Sequence, residues 1–292
     1  MKKTILLTGS SGFLGNFFLK RALKKNYKVI DILRIKNKNN KKLNYLRKKF
    51  KTNYKTIYYK SSTELKKKLS NIKIDYFINF ATLYKDNHDY SDIPKFIESN
   101  ITFPISIIDQ IYEKVSKIIN FGTMMQHLDG QNFIPKNFYA STKTALEMMT
   151  RFYVSRNKKL KFYNLKFYES FHELDNRKKL IPTLLKNYKK NLTTIINSKK
   201  LEINILHLED IFNAIDIILK KDIKSGSYCL QQKKNIKIVE LIKKINLKTS
   251  RSIKVKFKND KLNKIILSKL KKLNKWKPMA NIEKKIIEEF KK

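Results

Sequence analysis

The sequence predicts an α/β protein, with a doubly wound parallel sheet followed by a smaller, mixed α/β C-terminal lobe. Three observations carry this expectation. Short apolar runs alternate with helical patterns through the first half of the chain, a glycine-rich turn joins the first run to the first helical pattern, and the rhythm loosens after about residue 166.

Taken in order, strands are expected over residues 4–8, 28–33, 55–59, 76–81 and 117–122, each a short run rich in Ile, Val, Phe and Tyr. Apolar residues at helical spacing predict helices over 12–25, 62–69, 93–114 and 137–156, and residues 161–166 add a further strand. The polar run 36–42 reads as a loop. Beyond it come helical patterns at 180–188, 208–219 and 239–245, with short strands at 201–206 and 227–230. The tail from 261 to 292 is apolar at helix-like spacing and carries the single tryptophan, Trp276.

Composition bounds the function. The 292 residues include 66 Lys and Arg against 24 Asp and Glu, a net charge of +42. Only seven of the basic residues are Arg, the better reader of phosphates and bases, and the lysines are scattered instead of clustered. Nucleic acid is therefore not expected as the main partner, although the field favours anionic ligands. A single cysteine, Cys229, excludes an intramolecular disulfide and fits a reducing compartment. No apolar stretch approaches the ~20 residues that span a bilayer, so a cytoplasmic protein without membrane insertion is expected. His88, His127, His172 and His207 are too scattered to suggest a metal site, and none is expected.

Three of the chain's six glycines, Gly9, Gly12 and Gly15, stand in Thr8-Gly-Ser-Ser-Gly-Phe-Leu-Gly between a strand and a helix. Glycine permits a positive-φ turn and close backbone approach, and the following helix offers free N–H groups to a pyrophosphate. Further on, Tyr139 and Lys143 are four residues apart, so a helix sets them on one face. An ammonium beside a phenol stabilises the phenolate and makes Tyr139 a proton donor or acceptor.

These motifs resemble the extended branch of the short-chain dehydrogenase/reductases, the NAD-dependent epimerase/dehydratase family. GxxGxxG is joined, in the expected order, by Asp75-Tyr-Phe-Ile-Asn79-Phe-Ala81-Thr82, Glu98-Ser-Asn100, Phe121-Gly122-Thr123 and Tyr139-Ala-Ser-Thr-Lys143. The resemblance implies a Rossmann-type NAD(P)-binding domain over 1–166, with roughly 201–224 returning to it, and a substrate lobe from 167–200 and 225–292. It implies catalysis by Thr123, Tyr139 and Lys143, and cofactor contacts from Gly9, Ser11, Gly12, Phe13, Leu14, Gly15, Arg34, Asn79, Ala81, Tyr139 and Lys143. Asn100 would be structural and Asp210 a helix cap.

Two departures narrow the chemistry. Met124 and Met125 follow Thr123 where related 4,6-dehydratases carry Asp-Glu, and thioethers cannot transfer protons, so dehydration by that route is not expected. At the end of the second strand Leu33 replaces the acidic residue of NAD-preferring members and Arg34 follows, so NADP(H) is favoured over NAD(H). The segment 165–182 resembles that of sugar-nucleotide enzymes, with Phe171-His172-Glu173 in place of a Tyr-Gly-Pro turn. The chain resembles sugar-nucleotide reductases of the CDP-abequose and CDP-paratose synthase type. Reduction of a 4-keto group on a nucleotide-diphosphate sugar is the leading expectation, with Thr82, Met124, Gln126, His127, Asn164, Arg177 and Lys179 as candidate substrate contacts. An NAD-dependent 4-epimerase is the alternative, and a non-catalytic basic nucleotide- or nucleic-acid-binding protein a distant one. The resemblance also implies a homodimer through the helices at 93–114 and 139–156.

Overall fold

The structure, a computed structural model, describes residues 2–292. They form two compact units: the first runs to Leu128 and adds Asn132–Lys166 and Ile218–Tyr228, and the second holds Asp129–Gln131, Phe167–Ile217 and Cys229–Lys292.

In the first unit, six strands alternate with helices. They are β1 (Thr4–Thr8), α1 (Phe13–Lys24), β2 (Lys28–Arg34), α2 (Lys41–Lys49), β3 (Tyr54–Tyr59), α3 (Ser62–Leu69), β4 (Tyr76–Asn79), α4 (Ile93–Ile97), α5 (Phe103–Ile111), β5 (Lys117–Phe121), α6 (Phe138–Arg156) and β6 (Lys161–Lys166). The sheet order is the strand Gly226–Cys229, then β6-β5-β4-β1-β2-β3. Every pairing from β6 to β3 is parallel. Strand β1 is buried along its whole length, as a central strand covered on both faces must be. The expected doubly wound sheet is present, and its strand order reverses between β1 and β4, where such folds open a ligand crevice. One core joins Leu6, Ile32 and Phe77 of the sheet to Ile107 and Ile111 of α5.

The helix expected over 93–114 is continuous but passes through a π-helical turn at Glu98–Thr102. Pro104 has no N–H for the carbonyl of Asn100 and its ring crowds that oxygen, so the turn widens there. The expected loop at 36–42 holds a 3₁₀ turn, Ile35–Asn37, and gives way to helix α2 only at Lys41, where Asn40 caps the helix by accepting the Leu43 N–H at 3.2 Å. Only Leu43 and Leu46 are buried on it, too short an apolar signal to stand out in a lysine run.

The second unit has its own core, in which Ile181 and Leu184 of helix Leu180–Lys189 meet Leu241 and Ile245 of helix Ile238–Asn246 and Ile286 and Phe290 of helix Ile282–Lys291. Of the residues at 201–224, those up to 217 belong here and not to the first unit. Ile205–His207 pairs in parallel with Glu169–Phe171, and Ile203 and Ile205 enter the second core. The tail is helical only over Ile282–Lys291. Before it, Trp276 Nε1 donates to the Asp210 carbonyl at 2.8 Å, and the Asp210 carboxylate accepts the N–H groups of Met279 and Ala280. Asp210, expected as a helix cap, instead anchors this irregular segment. Among the described residues no helix is long and apolar enough to cross a membrane.

Candidate active site

The glycine turn is shaped by contact with β4. Gly9 has φ +77°, and a Cβ there would lie 2.5 Å from the Ala81 nitrogen and the Phe80 carbonyl carbon. A Cβ on Gly15 would lie 2.2 Å from the Gly9 oxygen. The loop is thus closed down on itself and on the end of β4. Gly12 caps α1 in extended conformation without a side-chain hydrogen bond, so the start of the helix, with its positive dipole end, faces the glycine turn.

A cavity of 290 Å³ opens beside this turn, lined among others by Gly9, Ser11, Gly12, Leu33, Arg34 and Ala81. Arg34 is exposed at its rim, whereas Leu33 is buried. Asp31, two residues earlier, points inward: it accepts the hydroxyls of Ser10 and of Tyr54, the latter at 2.8 Å. Burial pushes its carboxyl up to about 6 against the opposing pull of those hydroxyls and Arg47. It is not available to a ribose.

Thr123 ends β5 and caps a single 3₁₀ turn, Met124–Gln126. Its Oγ1 accepts the Met125 N–H at 3.2 Å, which leaves its own proton free to be donated. Tyr139 and Lys143 lie one turn apart on α6, and Tyr139 packs edge-on against Tyr84 at 4.9 Å. Lys143 is 2 % exposed, its ammonium forms no hydrogen bond among the described residues, and burial alone brings it down to about 8. A buried ammonium without a partner is costly unless something else completes it. Hydroxyls of a bound dinucleotide's ribose and a tyrosine phenolate are suitable acceptors. The glycine turn, the uncapped helix and this orphaned ammonium together fit a dinucleotide.

Beneath these residues runs a polar floor. Thr8 donates to Asn79 at 2.6 Å, Asn79 to Asn120 at 3.0 Å, Asn120 to Asn164 at 3.4 Å, and Asn164 to Glu147 at 2.7 Å. The chain crosses the C-terminal ends of β1, β4, β5 and β6 and finishes on a carboxylate of α6. Glu147 also meets Lys166 at 2.8 Å, with both side chains 1 % exposed. Burial pushes Glu147 up, but Lys166, then Ser227 and Arg151, outweigh it and hold the carboxyl at about 2. Lys166 Nζ lies 2.7 Å from His127 Nε2, while His127 Nδ1 is 2.9 Å from the Asn132 carbonyl. The imidazole therefore donates from Nδ1 and accepts at Nε2.

Residues 5–229 match the NAD dependent epimerase/dehydratase family. The chain belongs to this family. CDP-abequose synthase from Salmonella muenchen is 22% identical over 261 residues, covering 88% of this chain and 84% of the relative. Among solved structures, the UDP-N-acetylglucosamine 4-epimerase of Methanobrevibacter ruminantium M1 superposes with a TM-score of 0.79 at 19% identity, covering 100% of this chain and 98% of that one. The dTDP-glucose 4,6-dehydratase of Bacillus anthracis, solved with NAD, gives 0.78 at 19% identity, covering 99% and 95%. These structures share the fold of the family member described here.

In this family member Gln126, His127 and Asn164, expected as substrate contacts, are buried in or against the floor, and so is Asn79, expected as a cofactor contact. Met124 is buried, while Thr82 is exposed and donates to Asn100 at 3.2 Å. Asn100 is structural: it accepts the Leu83 N–H at 2.6 Å and donates to Leu83 and Thr142 at 3.0 Å. Glu147 and Lys166 were missed by the sequence reading. The available signal was that Glu147 lies four residues past Lys143, on the same helix face.

In the second unit, Arg177 is paired with Asp175 and with Ser170, and Lys179 with Glu169 at 3.0 Å. Strand pairing there also gathers two of the scattered histidines: His207 lies 3.0 Å and His172 3.5 Å from one oxygen of Glu173. Their Nδ1 atoms already accept the backbone N–H groups of Glu209 and Leu174, and Lys285 holds the other Glu173 oxygen at 2.7 Å. The cluster is an ion-paired knot at a helix start.

Proposed function

We propose that the chain is an NADPH-dependent reductase of the 4-keto group of a nucleotide-diphosphate sugar, with Tyr139 as proton donor. The observation that carries this reading is Lys143, a buried ammonium without a protein partner, one helical turn from Tyr139. When bound, the dinucleotide supplies the hydride. Thr123, whose oxygen is already an acceptor, donates its proton to the substrate oxygen and holds it. Tyr139 delivers a proton to that oxygen, and Lys143 stabilises the phenolate left behind. Met124 and Met125 offer no proton to a leaving hydroxyl, so the reaction stops at reduction.

Arg34, exposed beside the cavity without a carboxylate, suits a 2′-phosphate, and the inward engagement of Asp31 leaves no acid for the ribose diol. The likeness to CDP-abequose synthase supports a CDP-linked deoxysugar. Exposed Ile97, Met148, Met149 and Phe152 on α4 and α6 offer apolar surface to a second copy, which supports a homodimer.

The test is oxidation of NADPH by the purified protein with a CDP-4-keto-deoxyhexose, beside Tyr139→Phe. Turnover that falls by at least ~100-fold in the variant is expected. Interconversion of CDP-hexose epimers on co-purified NAD, with no net NADPH oxidation, would replace the reductase by an epimerase.

A further inference from the structure

Gln126 is joined to Thr123 by its backbone, whose N–H donates to the Thr123 carbonyl at 3.2 Å, and its side chain links Thr123 to α6. It is fully buried. Its Oε1 accepts the backbone N–H of Thr123 at 3.0 Å. Its Nε2 donates to Thr144 Oγ1 at 3.1 Å and to Glu147 Oε2 at 3.4 Å, both on α6. The amide orientation is forced. Thr123 N–H can only donate, the Glu147 carboxylate can only accept, and Thr144 uses its own proton on the Ala140 carbonyl at 3.2 Å. Gly122 leaves room for this side chain, since a Cβ there would lie 2.7 Å from Gln126 Oε1.

The two ends of this bridge are the two halves of the site. Thr123 sits at the end of β5, while Tyr139, Lys143 and Glu147 follow at four-residue intervals along one face of α6. Glu147 is fixed by Lys166, Asn164, Arg151 and Ser227, so it is a rigid post. We infer that Gln126 is a positioning residue that sets the distance between the Thr123 hydroxyl and the Tyr139 phenol by tying the Thr123 backbone to Glu147. This rests on the reductase reading above, in which both hydroxyls hold one substrate oxygen. A brace of this kind changes the reacting geometry without touching substrate or cofactor, and displacements of about 1 Å at such a distance cost up to about 100-fold in rate.

Gln126→Glu separates the two functions of the amide. It keeps the acceptor for Thr123 N–H, removes the donor to Glu147 and places a second carboxyl against it. With a CDP-4-keto-deoxyhexose and NADPH, kcat is expected to fall about 10- to 100-fold at pH 8, with both KM values within about twofold of wild type. Activity should return as pH is lowered and the new carboxyl gains a proton to donate. Gln126→Leu should lose kcat without that return. Thr144→Val, at a half-buried position, should give the same split at about threefold and covers the case in which Gln126→Glu does not fold. Unchanged kcat in a folded variant, or a loss with no pH-dependent return in Gln126→Glu, overturns the inference while Tyr139→Phe remains inactive. Amide exchange at Thr123 in the free protein needs no substrate. Faster exchange in Gln126→Leu is expected, and unchanged exchange overturns the brace even if the wild type does not reduce that sugar nucleotide. Failure of the wild type to reduce it, with Thr123 exchange altered as expected, sinks the reductase reading alone.

Discussion

Asp31 and Glu147 are both enclosed carboxylates of the first unit, one on β2 beside the glycine turn and the other on α6 one turn past Lys143, and their surroundings drive them in opposite directions. Asp31 gathers its two hydroxyl donors on Oδ2 and leaves Oδ1 buried without a partner among the described residues. Burial wins, and its carboxyl rises to about 6. Glu147 is as deeply enclosed but has Lys166 at 2.8 Å and Arg151 at 2.9 Å, and it falls to about 2. Burial thus fixes neither the charge nor the worth of an acid; the donors that reach it do. Neutral hydroxyls beside the glycine turn secure shape, whereas paired charges beneath Tyr139 and Lys143 secure position.

Removing the cation of the second pair should break this contrast most severely. Lys166→Met leaves Glu147 charged and enclosed and should cost about 3–5 kcal/mol, read as a lowered midpoint in urea. Asp31→Asn should have the opposite sign. At pH 8 the native carboxylate is ionised at a cost of up to about 3 kcal/mol, and the amide removes it. Near pH 4 the native carboxyl already holds its proton, so the gain should vanish there.

The same pair shapes the acid limb of stability. Glu147, held at about 2 below its ordinary 4.5, contributes stability above pH 4.5 that is lost as pH falls toward 2. Asp31, raised from 3.8 to about 6, lowers stability as pH rises across that window and not beyond it. Wild-type stability should therefore peak near pH 4–5, and Asp31→Asn should flatten the decline above the peak. The smallest effect belongs to Arg151→Ala: its side chain is 45% exposed, and about 0–1 kcal/mol is expected. A loss as large as that of Lys166→Met would mean that Lys166 is not the partner that matters.

What could be read ahead of the structure follows the same division. The glycine turn, Thr123 and the Tyr139/Lys143 pair announce themselves by local spacing, because a strand, a turn and one helical face are local objects. The sheet was legible for the same reason, from β1 to β6. Helix α2 was hidden because two leucines do not make a periodic face among lysines. The floor was hidden because it is assembled from four strands and a helix. Asn79, Asn120 and Asn164 meet through strand register, and nothing in their neighbours along the chain predicts that they are enclosed. Gln126 and His127 sit close to Thr123 in sequence, which suggested substrate contact, and local spacing did not show that the 3₁₀ turn buries them both. In the second unit, the anchoring of residues 276–280 on Asp210 depends on a carboxylate more than sixty residues away, beyond any local pattern.

The cofactor assignment concentrates what is proposed about this chain into one comparison, the equilibrium binding of NADPH and NADH to wild-type protein and to Arg34→Ala. A crevice built for the 2′-phosphate should bind NADPH at least ~10-fold more tightly than NADH, and Arg34→Ala should abolish most of that preference without altering NADH binding. Equal affinities, or a preference for NADH that survives the substitution, would contradict it.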